Sequence, residues 1–244
     1  MKKILIIILI ILIAVVAVGV FVLLHSHILE NISTSLTIQD KQIADNTNPF
    51  VIKIAYPQIN GLDDFNKKVE DIIDKEIKDF KTNSLENDAA VKQVDPESYA
   101  KYPRTYELDI GYDKGQVDNN IVSVVFNIYK FEGGAHGNSY FVPLNYDVKN
   151  KKEIALADLF PNQTDYLQKI SAFCIADLTK QITTSLGSTD GTWIKDGAGP
   201  NPDNFQFFLI NPSTSSGQAT ITFYFPQYQV AFGAAGDFTV TMPR

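Results

Sequence analysis

Ile121-Val122-Ser123-Val124-Val125-Phe126-Asn127-Ile128-Tyr129 is the most β-prone stretch of this 244-residue chain. β-Branched and aromatic side chains dominate it, and apolar residues fall on both alternating faces. A strand that is apolar on both sides belongs in the middle of a sheet, covered above and below. Upstream, Tyr106–Tyr112 alternates, and Asp113-Lys114-Gly115 reads as the hairpin turn joining it to Gln116–Phe131. Downstream, Ser139–Val148 reads as a further strand, closed by the polar turn Lys149-Asn150-Lys151-Lys152.

The rest of the chain supplies partners for that strand. Pro49–Pro57 has period-two apolarity between its prolines and reads as a strand. The period then changes. Leu62, Phe65, Val69, Ile72, Ile73, Ile77 and Phe80 recur mostly by threes and fours, which predicts an amphipathic helix. Asp63 and Asp64 sit in its first turn, where the helix dipole favours them. Residues 82–101 read as a polar loop. A second helix is expected from about Asp165 to Leu186, burying Ile170, Cys174, Leu178 and Ile182. In that setting the single cysteine is a core thiol with no basic neighbour to activate it. Ser185–Asn204 reads as a long loop carrying Trp193, and Phe205–Ile210, Gln218–Phe225 and Asp237–Met242 as terminal strands. The expected fold is α+β: a mainly antiparallel sheet covered by two amphipathic helices, preceded by one N-terminal transmembrane helix.

That transmembrane helix is read from Ile4–Leu24, an uncharged run long enough to cross a hydrocarbon core of about 30 Å. It is longer than the apolar region of a cleaved signal and leads into Leu24-His25-Ser26-His27-Ile28 without a small-x-small site. Lys2 and Lys3 would face the cytoplasm and the C-terminal domain the extracytoplasmic side of the cell membrane. The expected organisation is a signal-anchor over residues 1–25 and a linker over 26–33. An N-terminal half follows over 34–138 and a C-terminal half over 139–244, the two forming one body. Lys2 and Lys3 are the only charged residues before Glu30, so residues 30–244 carry a formal charge of −9. A nucleic-acid partner is not expected, because phosphate backbones are held by clustered Lys and Arg.

One segment is harder to explain as packing. Glu132-Gly133-Gly134-Ala135-His136-Gly137-Asn138 lies between two strands and places three glycines within five residues. Such a turn provides positive φ or close approach of another group, and its N–H groups can face an anion or a carbonyl. His136 is the one histidine distant from the apolar run, and it is either a base, a ligand or a lock for the connection. Other candidates are weaker. Ser98-Tyr99-Ala100-Lys101 has the S-x-x-K form of acyl-transferring enzymes, but Pro103 follows and no S-D-N or K-T-G partner is present. G-x-S-x-G, H-E-x-x-H, P-loop and C-x-x-C motifs are absent, and no cofactor or metal is expected.

With these elements in order, the sequence resembles the PdaC/SigV-type extracytoplasmic module. The residues that carry the likeness are Gly133-Gly134-Ala135-His136-Gly137, Asn145-Tyr146-Asp147, Ile154–Phe160 and Phe223-Tyr224-Phe225-Pro226-Gln227-Tyr228-Gln229-Val230-Ala231. The module occurs in a peptidoglycan deacetylase and in a lysozyme-sensing anti-sigma factor. The resemblance implies a membrane-tethered, extracytoplasmic domain facing the cell wall. It does not extend to the deacetylase's H-x-x-x-H metal site, which has no counterpart in this sequence.

The function expected from all this is non-catalytic binding of a cell-wall glycan or of a wall-directed protein such as lysozyme. The acidic charge suits a basic protein, and Tyr129, Phe131, Tyr140, Trp193, Tyr224 and Tyr228 offer flat surfaces for sugar rings. The ligand-binding candidates are Glu132, Gly133, Gly134, His136, Tyr140 and Tyr228. The alternative is a cell-wall-active hydrolase or deacetylase-type enzyme that uses the glycine-rich turn, with Glu132 and Asp147 as carboxylates beside His136.

Overall fold

A computed structural model describes residues 36–102, 104–188, 191–213 and 217–244. The apolar run Ile4–Leu24 and its linker lie outside the described residues. Among those residues no helix is long and apolar enough to cross a membrane. Leu36–Arg244 forms one compact unit with two sheets. The first has six strands in sequence order: β1 (Ile38–Asp45), β2 (Phe50–Ile59), β3 (Tyr106–Val117), β4 (Ile121–Phe131), β5 (Asn138–Asp147) and β6 (Lys152–Glu153). The second has three: β7 (Phe208–Ile210), β8 (Thr220–Phe225) and β9 (Phe238–Pro243).

The six-stranded sheet is mainly antiparallel, as expected, with one parallel pairing that makes it mixed. β2 and β3 run parallel, and parallel neighbours need a crossover connection. That connection is α1 (Asp63–Val94) followed by the short α2 (Pro96–Lys101). Helix α1 is much longer than its apolar periodicity suggests. Beyond Phe80 the chain meets no glycine or proline before Pro96, so nothing breaks the helix there, and Asn83, Asn87 and Asp88 tie its extension to neighbouring groups. The segment read as a loop over 82–101 is therefore helical except at Asp95. β1, for which no strand is expected from the sequence, is an edge strand with mostly exposed side chains, which hid its alternation.

α1 buries Phe65, Val69, Ile73 and Phe80 against one face of the sheet, where Ile52, Leu108, Ile110, Val124, Phe126, Ile128, Leu144 and Tyr146 meet them. Fully burying each such side chain contributes about 1.5–3 kcal/mol. A second core forms where α3 (Tyr166–Leu186) packs Ile170, Cys174, Leu178 and Ile182 against Ile221, Phe223, Phe225 and Val240 of the smaller sheet. Burial pushes the Cys174 thiol up to about 12, as a core thiol requires. α3 ends at Gly187, whose φ of 76° forms the left-handed cap. Part of the loop expected over 185–204 is a helix, α4 (Gly191–Gly197).

β4 is central, as its composition requires, and its second face is where the two sheets meet. The hairpin turn between β3 and β4 is Asp118-Asn119-Asn120, not Asp113-Lys114-Gly115. Gly115 lies within β3, and a Cβ there would run into the Ile210 carbonyl and the Leu209 side chain. The glycine admits the backbone of β7, and the β3–β4 register shifts beside it, between Lys114 and Val117. Val125, Phe141, Leu209 and Tyr224 form a small apolar cluster in the same interface.

Two buried polar residues join the sheets. Ser123 and Asn145 are cross-strand partners on β4 and β5. The Ser123 hydroxyl donates to Asn145 Oδ1 at 2.6 Å and accepts from the Ile210 N–H at 2.8 Å. Asn145 Nδ2 donates to the Phe208 carbonyl at 3.0 Å. β7 is an edge strand of its own sheet, and these side chains satisfy backbone groups that would otherwise be buried unpaired.

Candidate functional site: a cleft on the open rows of the central sheet

The second face of β3, β4 and β5 is built from rows set by strand register. Asp113, Val125 and Pro143 make one row, with Ser123 and Asn145 beyond it. The smaller sheet covers this end, where the Tyr224 hydroxyl donates to Asp113 Oδ2 at 2.9 Å and its ring lies 5.0 Å from Phe141. The two rows at the other end are Gly111–Asn127–Phe141 and Asp109–Tyr129–Ser139. These line a cleft of 350 Å³, with Asp237 contributed by the segment before β9. Period-two alternation therefore places a carboxylate, an amide, a phenol and a hydroxyl side by side.

Asp237 is held from the side of the smaller sheet, its Oδ1 accepting from the Gln227 N–H at 2.8 Å. Asp237 is exposed as a residue, but partial desolvation holds its carboxyl above the ordinary carboxylate range, and the single backbone hydrogen bond offsets only part of that. Tyr129 is 38% exposed, and its ring lies directly against Gly137, where no side chain would fit.

The glycine-rich turn is thus explained largely by contacts around it. Gly133 has φ 89°, and a Cβ there would come 2.9 Å from the Tyr106 ring. Arg104 Nη1 donates to the Gly133 carbonyl at 3.1 Å. Asn87 Nδ2 donates to the Glu132 carbonyl at 3.0 Å, and Asn83 Nδ2 to its carboxylate at 3.2 Å. Asp88 accepts from the hydroxyls of Tyr99 and Tyr106, which hold its carboxyl below the usual range. The helical extension of α1 therefore acts as a clamp on the turn. Gly134 and His136 are exposed, and His136 Nδ1 lies 2.8 Å from the Gly137 carbonyl.

The structure does not bring all six sequence candidates together. Tyr140 lines the cleft, but its hydroxyl donates to Glu76, which also pairs with the buried Lys130 at 2.6 Å. Tyr228 stands elsewhere, beside Trp193. Asp147 lies at the far end of β5 from the turn, roughly 30 Å along the strand, and accepts from the N–H groups of Lys149 and Asn150. It takes no part in a carboxylate pair about His136. Of the six aromatic residues considered for sugars, Tyr129, Trp193 and Tyr228 are exposed, whereas Tyr224 is buried. Asp109, Asn127, Ser139 and Asp237 were missed. Strand alternation alone would have put Asp109, Asn127 and Ser139 beside Tyr129's face.

Residues 43–139 match the family described as Deacetylase PdaC, and residues 157–244 match the family described as Protein of unknown function (DUF3298). The chain carries a PdaC segment followed by a DUF3298 segment. β5 falls almost wholly between the two matches, yet it completes the sheet of the PdaC segment. Peptidoglycan-N-acetylmuramic acid deacetylase PdaC of Bacillus subtilis (strain 168) is 28% identical over 236 residues, 93% of this chain. The chain spans about half the length of that relative, 46%. A crystal structure of a DUF3298 family member from Bacteroides fragilis NCTC 9343 shares the fold, with a TM-score of 0.52 and 21% identity. The match covers 86% of this chain and 92% of that one. The cleft lies where the PdaC segment, β5 and Asp237 of the DUF3298 segment meet.

Proposed function

We propose that this chain is an extracytoplasmic cell-wall-binding domain, tethered to the membrane by residues 4–24, and that its ligand is a wall glycan. The observation that carries this reading is the pair of open rows across β3, β4 and β5. The C–H face of a pyranose packs on the exposed ring of Tyr129, while Asp109, Asn127, Ser139 and Asp237 offer groups that hydrogen-bond hydroxyls and amides. Likeness to a peptidoglycan deacetylase over nearly the whole chain supports a wall-related ligand. No catalytic step is assigned to the cleft, because His136 stands outside its lining.

The test is calorimetric titration of the full chain in detergent with soluble wall-glycan fragments. Saturable binding that weakens at least tenfold in Tyr129→Ala is expected. Fragment binding unchanged by Tyr129→Ala, or binding to lysozyme with none to glycan, would overturn the reading. Turnover of the fragments that is lost in His136→Ala would restore the enzyme alternative.

A further inference from the structure

Trp193, Tyr228 and Phe232 are exposed large aromatic side chains, and the fold gathers them at one place. Trp193 Nε1 donates to the Tyr228 carbonyl at 2.9 Å. The Tyr228 ring lies on Gly233, next in sequence to Phe232. Tyr228 has φ 69°, an uncommon conformation for a bulky residue, costing on the order of 1–3 kcal/mol. The residue is nonetheless 57% exposed, so burial does little to offset the cost.

Trp193 also lines a groove of 520 Å³, together with Thr192, Asp196, Gly197, Asn204 and Gln229, the residue after Tyr228. Its floor is rigid. Gln229 Nε2 donates to the carbonyls of Gly197 and Asn204 at 2.7 and 3.0 Å. Asn204 Nδ2 donates to those of Asp196 and Gly199 at 2.9 and 3.1 Å. Gly197 is required here too, because the Gln229 carbonyl occupies the space of a Cβ.

We infer that this groove is a second saccharide subsite, with Trp193 and Tyr228 as its ring platforms and Asp196 as an acceptor for sugar hydroxyls. The inference rests on the glycan reading above and extends it to longer chains. Flat rings beside a carboxylate, a hydroxyl and amides fit a neutral polyol. The same Asp196, on a domain of formal charge −9, opposes anionic lipid headgroups. The two sites share a turn. The Gln227 N–H holds Asp237 of the cleft, the next residue's carbonyl anchors Trp193, and Gln229 lines the groove. A glycan long enough to reach both gains effective concentration at the second site once the first is filled.

Trp193 is the only tryptophan, so its emission reports on the groove directly. The full chain is titrated with N-acetylglucosamine oligomers of increasing length, following fluorescence and heat together. A saturable emission change is expected, with affinity rising at least tenfold from short to long oligomers. Tyr228→Ala should abolish the emission change and the length dependence while leaving short-oligomer heats intact. Tyr129→Ala should leave the emission change in place. Oligomer heats without any change in emission overturn the subsite but not the cleft. An emission change without heats lost in Tyr129→Ala overturns the cleft alone. An emission shift with phosphatidylglycerol vesicles and none with sugar makes the patch a membrane contact and overturns the subsite.

Discussion

The two ends of one sheet face are made from the same three strands and have opposite fates. At one end Ser123, Val125, Pro143 and Asn145 lie beneath β7 and Tyr224. At the other, Asp109, Asn127, Tyr129 and Ser139 remain open. The covered end uses polar side chains to finish the hydrogen bonding of another strand, and its apolar ones to fill a shared core. The open end keeps polar groups for an occupant from outside. Register, rather than any local motif, decides which residue belongs to which end.

Removing core from the covered end should have the largest effect. Leu209→Ala should cost about 2–5 kcal/mol, read from the urea midpoint; Tyr129→Ala should leave that midpoint nearly unchanged. Comparable losses from both would erase the distinction between the ends. Ser123→Ala should cost about 1–3 kcal/mol, because the Ile210 N–H is left buried without its acceptor. Ser123→Thr, which keeps a hydroxyl, should recover part of this if its methyl group is accommodated.

The open end should respond to pH instead. Asp237 has a folded value above its ordinary 3.8 because of partial desolvation. Its stabilising contribution is present below 3.8 and is lost as pH rises through the raised value. Asp237→Asn keeps an oxygen for the Gln227 N–H and removes the charge. Its stability relative to the natural chain should therefore rise with pH across that window and then level off. A difference independent of pH would show that desolvation of the carboxylate does not matter. The smallest effect is expected at the turn's tip: His136→Ala should leave both melting temperature and glycan affinity unchanged.

Much of this was legible in the residues. The two-sided apolarity of Ile121–Tyr129 predicts the central strand, and Cys174's spacing from Ile170 and Leu178 places it in a core. The glycines were harder. Gly115 resembles a turn residue but is a gap for the Ile210 carbonyl, and Gly137 is a seat for the Tyr129 ring. A glycine required by a distant neighbour looks the same in sequence as one required by its own dihedral angles. The extension of α1 was missed because its partners there are polar. Asn83, Asn87 and Asp88 bind the turn and the tyrosines without an apolar stripe to announce them.

The burial of Cys174 has a practical side. Its thiol is wholly covered, held at about 12, and is the only one in the chain. To a thiol-directed reagent at neutral pH the folded protein is blank. A cysteine introduced at Ser139 or Thr192 would be the one that takes up a fluorophore or spin label. Both clefts can then be watched in the otherwise unaltered protein.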